Sequence, residues 1–142
     1  MAEFTNVATQ TVAVNGNVLF TDTPTSVCNK GYISHRTGSG LINLKGATNT
    51  CKSKYRVEFN GNIAVPDGGT VETISLALAV DGETLQSTRM IVTPAAVSNM
   101  FNVSAQAYVD VPCGCCSTVA VQNTSTQDIQ VQNSNLIVVR EA

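Results

Sequence analysis

Cys113, Cys115 and Cys116 place three thiols within four residues, in the turn Asp110-Val111-Pro112-Cys113-Gly114-Cys115-Cys116. No other stretch of the 142-residue chain concentrates reactive groups in this way. Cys28 and Cys51 bring the cysteine count to five, an odd number, so at least one thiol is free, metal-bound or shared between chains. Three chemistries compete for them. Zinc wants four ligands in a tetrahedron, and Cys-X-Cys-Cys lacks both the usual pair spacing and a second pair at finger distance. A disulfide between Cys28 and Cys51 would close the base of the hairpin that they flank. In the chain-entropy model, such a loop of about 23 residues is worth about 3 kcal/mol. Buried or surface free thiols are the third reading. If Cys115 and Cys116 continue a strand, they point to opposite faces, one to the core and one outward.

The remaining polar chemistry is thin. His35 is the one histidine, and triads and most general acid–base sites need a histidine with placed partners. His35-Arg36 instead precedes the turn Thr37-Gly38-Ser39-Gly40, which reads as a solvated strand end. The carboxylates, among them Asp67, Asp81 and Asp128, are scattered through turns without the alternating oxygen ligands of a calcium loop. Gly38-Ser39-Gly40 and Gly68-Gly69 lack the Lys-Ser/Thr of a phosphate loop. With no catalytic residues, no cofactor and no metal assigned, an enzyme is the least favoured class.

These residues must be positioned by strands. Tyr55, Val57 and Phe59 alternate with Arg56, Glu58 and Asn60. Ile74 to Val80 and Phe101 to Val111 alternate in the same way, the period of half-buried strands. Asp81-Gly82 is a hairpin signal, and Pro66-Asp67-Gly68-Gly69 a turn. Thr9 to Phe20 reads as an edge strand carrying a kink or a tight turn at Asn15-Gly16, and Thr21 to Asn29, with Pro24, as a loop. Residues 94–100 permit a helical turn without requiring one. Eight to ten short strands with frequent turns describe an all-β antiparallel sandwich. One domain over residues 9–142 follows, with residues 1–8 as an N-terminal arm.

Hydrophobic residues make up 43% of the chain and charged residues only 13%, with a formal charge of −2. A core is easily built, and the sparse charge suits a surface buried against other polypeptides. No basic patch supports nucleic-acid binding. No apolar run is long enough to cross a membrane as a helix, and the start of the chain carries no export signal.

Three segments carry a resemblance. They are Gln10-Thr11-Val12-Ala13-Val14-Asn15-Gly16-Asn17-Val18-Leu19-Phe20, Tyr55-Arg56-Val57-Glu58-Phe59-Asn60-Gly61-Asn62-Ile63, and the closing stretch from Ser117 through Ser125 with Asn135 to Ala142. Together they resemble the opening, central and closing strands of the jelly roll of tumour necrosis factor and complement heads. The resemblance covers about residues 9–140 and implies jelly-roll topology and a compact homotrimer. Without collagen-like repeats before residue 9, the chain looks like a bacteriophage structural protein, a capsid decoration or head-fibre subunit. Its expected partners are the major capsid protein and other virion proteins, and its expected place is the virion, after synthesis in the host cytoplasm. The expected assembly contacts are the arm residues Glu3, Phe4, Thr5, Asn6 and Val7, with the C-terminal strand. The alternatives are a receptor- or glycan-binding fibre head and a cysteine-crosslinked spore or cell-surface protein.

Overall fold

In the computed structural model, which describes residues 1–26 and 31–141, twelve strands form two antiparallel sheets. In chain order they are β1 (Ala2–Asn6), β2 (Gln10–Val12), β3 (Asp22–Ser26), β4 (Ile33–His35), β5 (Ile42–Lys45), β6 (Lys52–Ala64), β7 (Ile74–Val80), β8 (Glu83–Thr84), β9 (Met90–Val92), β10 (Phe101–Pro112), β11 (Cys116–Asn123) and β12 (Ile129–Arg140). The first sheet runs β10-β6-β12-β1-β3, with β2 added on β12. The second runs β4-β5-β11-β7-β8, with β9 added on β7.

Alternation in the long strands drives the packing. Tyr55, Val57 and Phe59 of β6 and Val109 and Val111 of β10 face inward from the first sheet. Ile42 and Leu44 of β5, Leu76 and Leu78 of β7 and Val119 and Val121 of β11 meet them from the second, in one shared core. Residues between these positions on β6 and β10 point outward.

Two local devices set the register. Asp81 and Gly82 both have positive φ, 53° and 84°, as a type I′ turn demands, and they close the β7–β8 hairpin at Val80↔Glu83. The return strand is interrupted by a 3-10 turn at Gln86–Thr88 before β9 resumes pairing with β7. On β12 the pairing with β6 shifts between Gln132 and Asn135, and Asn133 takes φ 52°. Before this bulge Ile129 and Val131 face the core; after it Leu136 and Val138 do. The extra residue moves the inward positions from odd to even numbers.

Three expectations change. Residues 1–8 are not a free arm. Ala2–Asn6 is a strand held between β12 and β3, with Ala2 and Phe4 in the core. The segment expected as a loop from Thr21 contains β3, which among the described residues pairs with β1 alone. Pro24 is tolerated there because an edge strand has one side with no ladder bonds to make. Thr9 to Phe20 is not one edge strand, though the tight turn at Asn15-Gly16 is there. The chain leaves the first sheet after β2, turns where Gly16 N–H donates to the Ala13 carbonyl (2.8 Å), and joins the second sheet through the Asn17↔Gln122 bridge.

Asn123 fastens that crossover. It is fully buried. Its Nδ2 donates to the carbonyls of Val12 (3.0 Å) and Gln127 (3.0 Å), and its Oδ1 accepts from Ser125 N–H (2.9 Å). The bend at residues 94–100 forms no helix.

Candidate functional site

Two surfaces stand out: the outward face of the first sheet, and the end of the sandwich that bears the cysteines.

Cross-strand register builds the face in rows. Tyr108 lies opposite Arg56, which lies opposite Val139. The next row is Gln106, Glu58, Ile137 and Glu3, and the next Ser104, Asn60, Asn135 and Thr5. Tyr108 is 62% exposed, and Ile137 and Val139 are half-buried. Charges around them are already paired. Arg56 Nε lies 3.1 Å from a Glu141 oxygen, and its Nη1 lies 3.5 Å from Glu58. Asp110 takes Lys52 at 3.3 Å, and the Lys54 ammonium sits 5.5 Å from the centre of the Tyr108 ring. These pairs are solvent-exposed and add little stability individually. They balance most of the charge on the face; Glu3, opposite Ile137, has no ion pair among the described residues.

The outward side of the second sheet differs. Ser75, Ala77 and Ala79 on its central strand β7 are buried although they point away from the core. Arg89 Nε and Thr124 Oγ1 both reach Ser75 Oγ, at 3.2 and 2.6 Å. Around Ser75 that side is covered by the chain's own side chains, while Ile91, opposite Ser75 on β9, stays 58% exposed.

Of the expected contact residues, Phe4 and Asn6 are buried inside the subunit, where Asn6 Nδ2 donates to the Leu19 carbonyl (3.1 Å). Glu3 and Thr5 lie on the outward face, and Glu3 accepts from Asn135 Nδ2 (3.0 Å). Val7 is 67% exposed beyond the strand end. Alternation splits the five residues between the two sides of β1.

At the cysteine end, Cys51, Cys113, Cys115 and Cys116 are all exposed free thiols. The expected core-and-surface split of Cys115 and Cys116 therefore fails. β11 begins only at Cys116, beyond the edge of the core, so neither thiol has a core to face. Cys28 lies outside the described residues. Cys115 N–H closes a turn on the Pro112 carbonyl (3.0 Å), with Gly114 at φ 68°. Gly46 N–H donates to the Cys115 carbonyl (2.8 Å), so closely that a Cβ on Gly46 would collide with the Pro112 carbonyl oxygen. Among the described residues no group of three or more His, Cys, Asp or Glu is placed to hold a metal ion.

Beside this turn Tyr55 is fully buried, and its hydroxyl donates to the Lys45 carbonyl at 2.6 Å. Burial pushes its ionisation above the ordinary tyrosine range, partly countered by the Arg140 guanidinium. Arg140 stacks over Tyr32 with its guanidinium 4.6 Å from the ring centre.

His35 serves local structure. Its Nε2 donates to the Ser39 carbonyl (2.7 Å) and closes the turn after β4. Its ring tilts against Phe4, with centroids 4.8 Å apart. Asp81 accepts from Thr118 N–H (2.9 Å) and Asp128 from Val14 N–H (3.2 Å), so these carboxylates hold turns.

No family model and no curated protein matches the chain. Solved structures do. The chain is similar to Eiger TNF from S. frugiperda, with a TM-score of 0.72 and 17% identity over 99% of this chain and 91% of that one. The globular domain of a zebrafish complement 1qA protein gives a TM-score of 0.63 with 13% identity, over 96% of this chain and 94% of that one. Murine APRIL gives 0.60 with 9% identity, over 95% and 97%. At such identities the likeness establishes the fold: the chain is an antiparallel β-sandwich with the jelly-roll topology of TNF and complement heads.

Proposed function

We propose that the chain is a structural, non-catalytic subunit that assembles as a homotrimer through the outward face of its first sheet. The observation that carries this reading is the outward face of the first sheet, where ion pairs balance most of the charge and Tyr108, Ile137 and Val139 stand in adjacent rows. Burying such apolar surface stabilises association by about 25 cal/mol per Å², before the entropic cost of docking. A ring of three copies also shields β10, which among the described residues pairs only with β6 and ends the sheet. The finer assignment is a virion surface protein of a bacteriophage, a capsid decoration or head-fibre subunit. The low share of charged residues supports it.

Light scattering tests the assembly. The expected mass is three times the 14.9 kDa of one chain, and Val139→Glu or Tyr108→Glu reduces it to the monomer. A parent protein that is monomeric at micromolar concentration, or a trimer indifferent to both substitutions, would sink the proposal. Imaging of whole particles with a labelled subunit tests the virion assignment separately.

A further inference from the structure

Cys51 and Cys113 form a cross-strand pair that the assembly reading does not use. β10 and β6 keep one unbroken register from Phe101↔Ile63 to Pro112↔Lys52. The next step along that register sets Cys113 opposite Cys51, and Cys113 N–H donates to the Cys51 carbonyl at 3.1 Å. Residues directly opposite in an antiparallel ladder send their side chains to the same face. In a hydrogen-bonded pair their Cα atoms are about 5.5 Å apart, within the span of a disulfide. Both thiols are free and exposed. Cys113 Sγ already turns toward the loop that ends at Cys51, where it donates to the Thr48 carbonyl at 3.4 Å. The backbones of the other two cysteines are placed elsewhere: Cys115 N–H closes the turn on the Pro112 carbonyl, and Cys116 lies opposite Lys45 of β5.

We propose that Cys51 and Cys113 form a reversible disulfide that staples the start of β6 to the end of the edge strand β10. The oxidant is a low-molecular-weight disulfide such as oxidised glutathione. One protein thiol, deprotonated, attacks it, forming a mixed disulfide and releasing one glutathione thiolate. The second protein thiolate then displaces the other glutathione and forms the Cys51–Cys113 bond. Two electrons pass from the protein to the oxidant, and the two thiol protons end on the released glutathione. The bridge closes the chain from residue 51 to residue 113, a long loop, and so constrains the unfolded state strongly. It also fixes the turn that displays Cys115 and Cys116, so oxidation at one pair sets the geometry of the other.

Disulfide mapping tests the pairing. In a Cys115→Ser/Cys116→Ser protein treated with oxidised glutathione, alkylated and digested with trypsin without reductant, the peptide Gly46–Lys52 is expected to be linked to the peptide Met90–Arg140. Oxidation is expected to raise the melting midpoint by roughly 10 °C. Dithiothreitol removes that gain, and Cys51→Ser or Cys113→Ser abolishes it while leaving the reduced protein's midpoint unchanged. A Cys28–Cys51 link, a link only between chains, or Cys51 and Cys113 both still alkylated after oxidation would overturn the proposal. Mapping reads the bond directly, so the pairing does not rest on the melting shifts of the Cys51→Ser and Cys113→Ser variants.

Discussion

Tyr55 shows how burial sets the behaviour of a single residue. Its ring is part of the core and its hydroxyl has the Lys45 carbonyl as acceptor. Ionising it would place a negative charge in that setting, which is why its pKa is raised. The folded state thus binds the phenolic proton more tightly than the unfolded chain does. This contribution to stability is fully present below the unfolded tyrosine pKa, near 10. It is lost as pH rises through the folded value. Denaturation midpoints measured between neutral pH and the alkaline range are expected to fall above about pH 10. Tyr55→Phe is expected to flatten that fall and to cost about 1 kcal/mol at neutral pH for the lost hydrogen bond. A Tyr55→Phe protein with the parent's alkaline slope would assign the effect to another group. The alternation of β6 made Tyr55 readable as a core residue. Its acceptor was not readable, because Lys45 belongs to a different sheet.

At the scale of elements, the turns decide more than the strands. The cysteine turn rests against Gly46, and the two backbones approach so closely that only a residue without Cβ fits. Gly46→Ala is expected to destabilise the protein by about 1–3 kcal/mol, the range for forcing extra atoms into a packed site. Because the shift falls on the Pro112 carbonyl, it is also expected to slow formation of the Cys51–Cys113 disulfide, read by alkylation over time. Unchanged stability would show that the loop at Gly46 yields freely. The β7–β8 hairpin, by contrast, was readable outright, since Asp81-Gly82 admits the two positive φ angles such a turn requires. The strand at Ala2–Asn6 was not. Its two core residues, Ala2 and Phe4, are too few for a periodicity to register, and the partners that make it a strand lie at Ser134–Val138 and Asp22–Ser26.

For the whole molecule, assembly and stability are one quantity if the native form is a trimer. Association then draws on the folded state alone, so the melting midpoint rises with protein concentration. A tenfold dilution series in calorimetry is expected to lower the midpoint steadily in the parent. No such trend is expected in Val139→Glu. A concentration-independent midpoint in the parent would count against the trimer. The thiol bridge acts within one chain and leaves this dependence in place, so the two effects separate experimentally.

Local alternation and turn chemistry are written into the chain, and they determined the all-β class, the long strands β6, β7 and β10, and most of the core. Side-chain period and turn dihedrals depend on neighbours a few residues away, which is why sequence alone sufficed. Tertiary structure decided what depends on distant partners. It turned residues 1–8 from arm to strand, let the bulge at Asn133 reverse which residues of β12 face inward, and carried the chain from β2 to the other sheet beside Asn123. It also set Cys51 opposite Cys113. Pairing between residues some sixty positions apart is fixed by register across a ladder, and no local spacing encodes that.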